Sequence, residues 1–145
     1  MRLTLYSDYS LRLLMYCAQH PDRLVTIQEV AGCYRISRNH LMKVAYQLGC
    51  KGYLETVRGR GGGLKLARPA DKVGLGAVLR DTEDDFALVD CFEGGTNLCP
   101  ITPACRLKGA LGKALKAWFA VLDEYTLADL AGKHPALTRM LAKAG

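Results

Sequence analysis

Apolar side chains recur at helical spacing through the first third of the chain. Leu11, Leu14, Met15 and Ala18 mark one face of a segment from Asp8 to about His20, with Ser7 placed to cap its start and Pro21-Asp22 to stop it. Thr26-Ile27-Gln28-Glu29 has the form of a capping box, in which the Thr hydroxyl takes an orphan amide and the Glu carboxylate returns to the Thr amide. It opens a short second helix ending near Cys33 or Tyr34. Ser37 is then read as the cap of a third helix, in which Leu41, Val44, Ala45 and Leu48 make an apolar stripe at i, i+3, i+4 and i+7. Arg38, Asn39, Lys43 and Tyr46 lie away from that stripe, and His40 falls in the first turn. Two short helices, the second with a polar and basic outer face, form the helix-turn-helix pattern.

Tyr53-Leu54-Glu55-Thr56-Val57 and Leu64-Lys65-Leu66-Ala67-Arg68 are β-prone runs flanking Arg58-Gly59-Arg60-Gly61-Gly62-Gly63, which predicts a hairpin. A hairpin directly after a helix-turn-helix is a wing. Its glycines allow close backbone approach to a surface, and Arg58 and Arg60 suit a minor groove, where negative potential concentrates. Leu75 to about Thr82 predicts a further short helix. Thr102-Pro103 reads as N-cap plus first-position proline of the longest helix, with Leu107, Leu111, Ala114, Leu115, Trp118, Leu122 and Tyr125 on one face. A helix of roughly twenty residues, about 30 Å long, must bury such a stripe, either on a second copy of the chain or on its own domain; the second copy is the economical choice. Thr126-Leu127-Ala128-Asp129 restarts a short helix, and the segment after Lys133 carries no clear pattern. The fold expected is mainly α with one small β-hairpin. Residues 1–70 form a winged helix-turn-helix domain, 71–104 a connecting helix and a cysteine loop, and 105–145 a dimerisation helix and tail.

Charge sharpens this division. The net charge is +6, and residues 1–70 hold eleven Lys or Arg against four Asp or Glu, while residues 71–145 hold nine against ten. All the excess positive charge lies in the half that carries the helix-turn-helix and wing, which points to a polyanionic partner. No run of apolar residues is long enough to span a membrane, and the start of the chain becomes polar too early for a secretory signal; a cytoplasmic location is expected. The glycine run lacks the Gly-Lys-Ser or Gly-Lys-Thr of a phosphate-binding loop, and Leu64 interrupts a dinucleotide fingerprint. None of the three histidines sits in a catalytic motif, so no enzymatic site is expected.

Three thiols occur within fifteen residues, as Cys91, Cys99 and Cys105 with spacing C-x7-C-x5-C, in a stretch interrupted by Gly, Asn and Pro. In a reducing compartment this favours a metal or redox site over a disulfide framework. Thiolates suit iron–sulfur clusters and zinc. Both usually take four ligands, so a fourth donor is wanted. Spacing alone leaves a cluster, a structural zinc and a thiol switch open. Cys17, Cys33 and Cys50 lie within or at the ends of predicted helices and read as small buried or neutral side chains.

Leu98-Cys99-Pro100-Ile101-Thr102-Pro103-Ala104-Cys105-Arg106-Leu107-Lys108, together with Met1-Arg2-Leu3-Thr4, Asp8-Tyr9, Ser37-Arg38-Asn39-His40 and Val57-Arg58-Gly59-Arg60-Gly61-Gly62-Gly63, closely resembles the NsrR repressors. The resemblance runs from residue 1 to about residue 131. Those are nitric-oxide-sensing, winged-helix, iron–sulfur regulators that act as homodimers and are related to the cluster-assembly repressor IscR. The resemblance implies that Cys91, Cys99 and Cys105 hold a [4Fe-4S] cluster, with Asp8 of the partner subunit as fourth ligand. With the helix-turn-helix and wing in place, Ser37, Arg38, Asn39, His40 and Lys43 are expected to meet bases and phosphates of double-stranded operator DNA, with Arg58 and Arg60 in adjacent minor grooves. Reaction with nitric oxide is expected to free Asp8, which then pairs with Arg12, its i+4 neighbour, as a switch. A [2Fe-2S] sensor of cluster supply or redox state, as in IscR, is the alternative regulator. An electron carrier that docks a redox partner through its basic face is the alternative of another class.

Overall fold

The computed structural model describes residues 2–92, 99–132 and 135–144. It is mainly helical: α1 (Leu5–Gln19), α2 (Ile27–Tyr34) and α3 (Arg38–Cys50) are followed by a hairpin of β1 (Leu54–Val57) and β2 (Gly63–Leu66), then α4 (Leu75–Thr82), α5 (Arg106–Asp123), α6 (Leu127–Ala131) and α7 (Pro135–Ala144).

The start of α1 differs from the expectation. Thr4 is the cap, its hydroxyl accepting from the Ser7 amide at 3.2 Å. Thr4 is held in place by Glu83, whose Oε1 accepts from the Thr4 amide at 2.8 Å. Ser7, read from the sequence as the cap, lies fully buried in the first turn and donates to Thr82 Oγ1 at 2.9 Å. The buried face of α1 is also wider than one stripe, because Leu13, Tyr16 and Cys17 are enclosed along with Leu14. The helix packs against α3, α4, α6 and β2, so little of its circumference meets water.

The capping box of α2 forms as read: Thr26 Oγ1 accepts from the Glu29 amide at 3.2 Å and Glu29 Oε2 accepts from the Thr26 amide at 2.7 Å. Arg35 ends this helix in the left-handed region (φ 54°) and turns the chain into α3. Leu41, Val44, Ala45 and Leu48 of α3 are all buried, and they orient the opposite side of the helix outward. Ser37 occupies the cap position of α3, yet its hydroxyl makes no capping hydrogen bond.

Strands β1 and β2 pair antiparallel, from Leu54 opposite Leu66 to Val57 opposite Gly63. Val25 extends the pairing, exchanging backbone hydrogen bonds with Leu64 at 2.9 and 2.7 Å. The tip needs its glycines. Gly59 and Gly61 have φ of 102° and 77°, and a Cβ on Gly62 would lie 2.2 Å from the Val57 carbonyl oxygen.

One cluster of buried side chains runs from Leu13 and Leu14 through Leu41, Leu48 and Leu64 to Val78, Leu127 and Leu141. Helix α7, for which the sequence offered no clear pattern, lies against α2 with Leu141 buried. Thr138 there donates to Gln19 Oε1 at 3.1 Å, and the Gln19 amide donates to the Ala131 carbonyl.

Helix α5 begins later than expected. Thr102–Ala104 form a separate 3-10 turn, with the Thr102 hydroxyl donating to the Cys99 carbonyl at 2.9 Å. The cap of α5 is Cys105. Thr102 therefore spends its hydroxyl backward, on the cysteine loop. Helix α5 is attached to α4 by the fork of Arg80 on Asp123, at 2.7 Å for both hydrogen bonds, and to the segment after α4 by contacts of Phe86 with Trp118 and Phe119. No residue of α5 is fully buried, and Leu107 stands 64 % exposed. No helix among the described residues is long and apolar enough to cross a membrane.

Candidate nucleic-acid interface and cysteine loop

Ser37, Arg38, Asn39, His40 and Lys43 are all exposed on the first two turns of α3. The buried stripe on the opposite face fixes the roll of the helix, so this surface is presented by packing and not by chance. His40 is set apart from the others. Its ring stacks on Tyr9 of α1, with centroids 6.4 Å apart and planes 28° apart, so it bridges the outer surface and α1. Arg58 and Arg60 flank Gly59 at the wing tip and are exposed. Among the described residues, no carboxylate forms an ion pair with Arg38, Lys43, Arg58 or Arg60. Their positive charge is left for an external anion. Tyr46, which the sequence places away from the apolar stripe but not among the expected DNA contacts, is exposed on the same helix, and so is Met42, which the sequence reading did not single out.

The wing and α4 are joined behind this face. The buried Tyr53 ring carries the Arg68 guanidinium 4.6 Å from its centroid, and its hydroxyl donates to Asp81. The Tyr53 phenol is raised well above its ordinary range, first by burial and then by the Asp81 carboxylate. It therefore stays a donor at any working pH.

Cys91 lies half-buried in a 3-10 turn, Asp90–Phe92. Cys99 is exposed, and Cys105 is half-buried at the start of α5, where its sulfur accepts from the Lys108 amide at 3.4 Å. Residues 93–98, which connect the first two thiols, lie outside the described residues. Among the described residues, no group of three or more His, Cys, Asp or Glu side chains is gathered closely enough to hold a metal ion. The donor set nevertheless fits an iron–sulfur group. Cys91 and Cys105 are half-buried and Cys99 is exposed, so none of the three is sealed in the core. The Lys108 amide directed at Cys105 Sγ is the kind of hydrogen bond that tunes such a centre. Cys17 behaves differently: burial pushes its thiol up to about 12, which makes it inert as a ligand.

Asp8 joins no such group among the described residues. It sits on α1 and accepts a fork from Arg12, Nε to Oδ1 at 3.0 Å and Nη2 to Oδ2 at 2.8 Å. Sequence reading missed the polar latch at the base of α1. Thr4 with Glu83 and Ser7 with Thr82 tie the helix that carries Asp8 to the end of α4, just before the cysteine loop. No local signal marks these pairs, which are separated by 79 and 75 residues.

The family profile described as Rrf2, iron-dependent transcriptional regulator, matches residues 3–133. This chain belongs to the Rrf2 family. The Rrf2 regulator is 50 % identical over 142 residues to the HTH-type transcriptional regulator NsrR of Bacillus subtilis, covering 97 % of each chain. It is 49 % identical over 142 residues to the NsrR of Halalkalibacterium halodurans, again with 97 % of each covered. Its fold is that of the global cysteine regulator CymR of B. subtilis (TM-score 0.72, 22 % identity, 92 % of this chain and 98 % of that one). It is also that of the T. potens IscR (TM-score 0.72, 24 % identity, 90 % and 85 %). The helix-turn-helix and hairpin are therefore those of a transcriptional regulator, and the expectation of a non-enzymatic protein agrees with the relatives.

Proposed function

We propose that this Rrf2 regulator is a cytoplasmic, homodimeric repressor that senses nitric oxide through an iron–sulfur cluster. The observation that carries the reading is the joining of two surfaces. A basic face on α3 and the wing, both packed on α1, and the end of α4 that leads into the three-cysteine loop, latched to α1 through Thr4–Glu83 and Ser7–Thr82, meet on the helix that also bears Asp8. Full-length identity of 50 % to a protein named NsrR supports the assignment of the signal.

Cys91, Cys99, Cys105 and Asp8 of the partner subunit would hold a [4Fe-4S] cluster. Such a group supplies iron with which nitric oxide reacts. The chain's own residues do the rest. In the repressing state Asp8 is engaged across the dimer, and its helix holds the two copies of α3 at the spacing of successive major grooves. Ser37, Arg38, Asn39, His40 and Lys43 meet the operator there. Arg58 and Arg60 add affinity through phosphates and the minor groove, which weakens as salt rises. When Asp8 is released it closes on Arg12 of its own helix, the tie between subunits is lost, and repression ends.

Metal and sulfide analysis of protein prepared without oxygen tests the cofactor, and a gel shift with genomic fragments tests the DNA face. Iron and acid-labile sulfide in equal amounts, with specific retardation of DNA, is the expected result. Stoichiometric zinc without sulfide would replace the sensor with a structural site. A cluster-bearing protein that retards no fragment would instead be an electron carrier.

A further inference from the structure

The outward face of α3 is not uniformly polar. Met42 is 51 % exposed and Tyr46 74 % exposed, the latter the most exposed large apolar side chain among the described residues. Among the described residues, the Tyr46 ring stacks on no other ring and its hydroxyl has no hydrogen-bond partner. At about 100° per residue, positions 39, 42, 43 and 46 share the side opposite the buried Leu41, Val44, Ala45 and Leu48. The pair therefore forms an apolar centre flanked by Asn39, Lys43 and Arg38.

Solvent gains nothing from such a patch, and its setting limits what covers it. The surrounding cations lack carboxylate partners, and the wing beside it ends in Arg58 and Arg60. The first 70 residues carry eleven basic against four acidic side chains. A polyanion matches that rim. Inside the major groove of a duplex, the apolar group offered at the base edges is the C5-methyl of thymine. We propose that Met42 and Tyr46 are specificity-determining residues that contact thymine methyl groups in each half-site. Asn39 and Lys43 supply the polar and phosphate contacts around them. The inference rests on the DNA-binding reading and goes beyond it, by stating which base feature the helix reads and with which side chains.

The test uses the cluster-bearing protein, handled without oxygen, and the duplex it protects in footprinting. Thymines of one half-site are replaced singly by uracil, which removes one methyl and nothing else. Affinity is read by fluorescence anisotropy. At one or two positions the wild-type protein should lose about three- to tenfold in affinity. At those positions Met42→Ala or Tyr46→Ala should show little or no further loss, because the contact is already gone. Lys43→Ala should weaken all duplexes alike and lower the salt dependence. Both apolar residues are exposed, so unchanged thermal melting of the variants serves as the folding control. Equal affinity for every uracil-bearing duplex would overturn the proposal, as would a penalty that persists undiminished in both variants. Absence of binding to any duplex would instead overturn the DNA-binding reading beneath it.

Discussion

Asp8 and Arg12 show how a weak contact becomes useful. Both side chains are more than one-third exposed, and an i,i+4 ion pair of that kind contributes only about 0.3–0.5 kcal/mol. That is too little to lock the helix, yet enough to hold a carboxylate that has no stronger partner. The proposed ligand bond across the dimer would easily outcompete it. Arg12→Ala should therefore change the urea stability of the cluster-depleted protein by less than about 0.5 kcal/mol. It should also narrow the difference in operator affinity between cluster-depleted and cluster-bearing protein, since released Asp8 loses its alternative partner. An unchanged affinity difference in anisotropy measurements would remove Arg12 from the switch. Ser7 and Thr82 belong to the same scale: a buried hydroxyl pair is satisfied internally, with the Thr82 hydroxyl in turn donating a hydrogen bond to the Val78 carbonyl at 2.9 Å. Such pairs stabilise chiefly because leaving one member alone is costly.

At the level of elements, the wing depends on backbone proximity at its tip. Because a Cβ on Gly62 would meet a backbone oxygen and not a movable side chain, Gly62→Ala must distort the turn. The expected cost is about 1–3 kcal/mol of stability, with operator affinity falling by on the order of tenfold; chemical denaturation and anisotropy measure the two separately. If affinity is retained, the wing does not touch DNA. Elements written in neighbouring residues were legible beforehand. The Thr26–Glu29 box, the Leu41 to Leu48 stripe and the two runs around the glycines each declare themselves within a few positions. The cap of α1 was misread because its true position is fixed by Glu83, far along the chain. The start of α5 was misread because Cys105 is an uncommon cap and Thr102 turns back to Cys99. The spacing of the thiols suggests a set, which the described residues do not gather into one group; Asp8 enters that set only through resemblance, since local spacing makes it an ordinary first-turn acid.

For the whole molecule, α5 is the element that a single chain leaves unfinished. It lies against α4 through Arg80 and Phe119, but none of its residues is fully buried, and Leu107 and Val121 are exposed. In the proposed dimer a second copy of the chain would cover such a stripe economically and would bring the partner's Asp8 to the cysteine loop. Dimer, sensor and DNA-reading face are then one mechanical unit, with α1 as the common member. The most direct test is operator affinity by anisotropy on a single oxygen-free preparation, before and after nitric oxide equimolar with the cluster. The account predicts a fall of on the order of tenfold or more, in the range of ordinary coupling between two sites, accompanied by loss of the cluster's visible absorption. Unchanged affinity after that absorption is lost would contradict it.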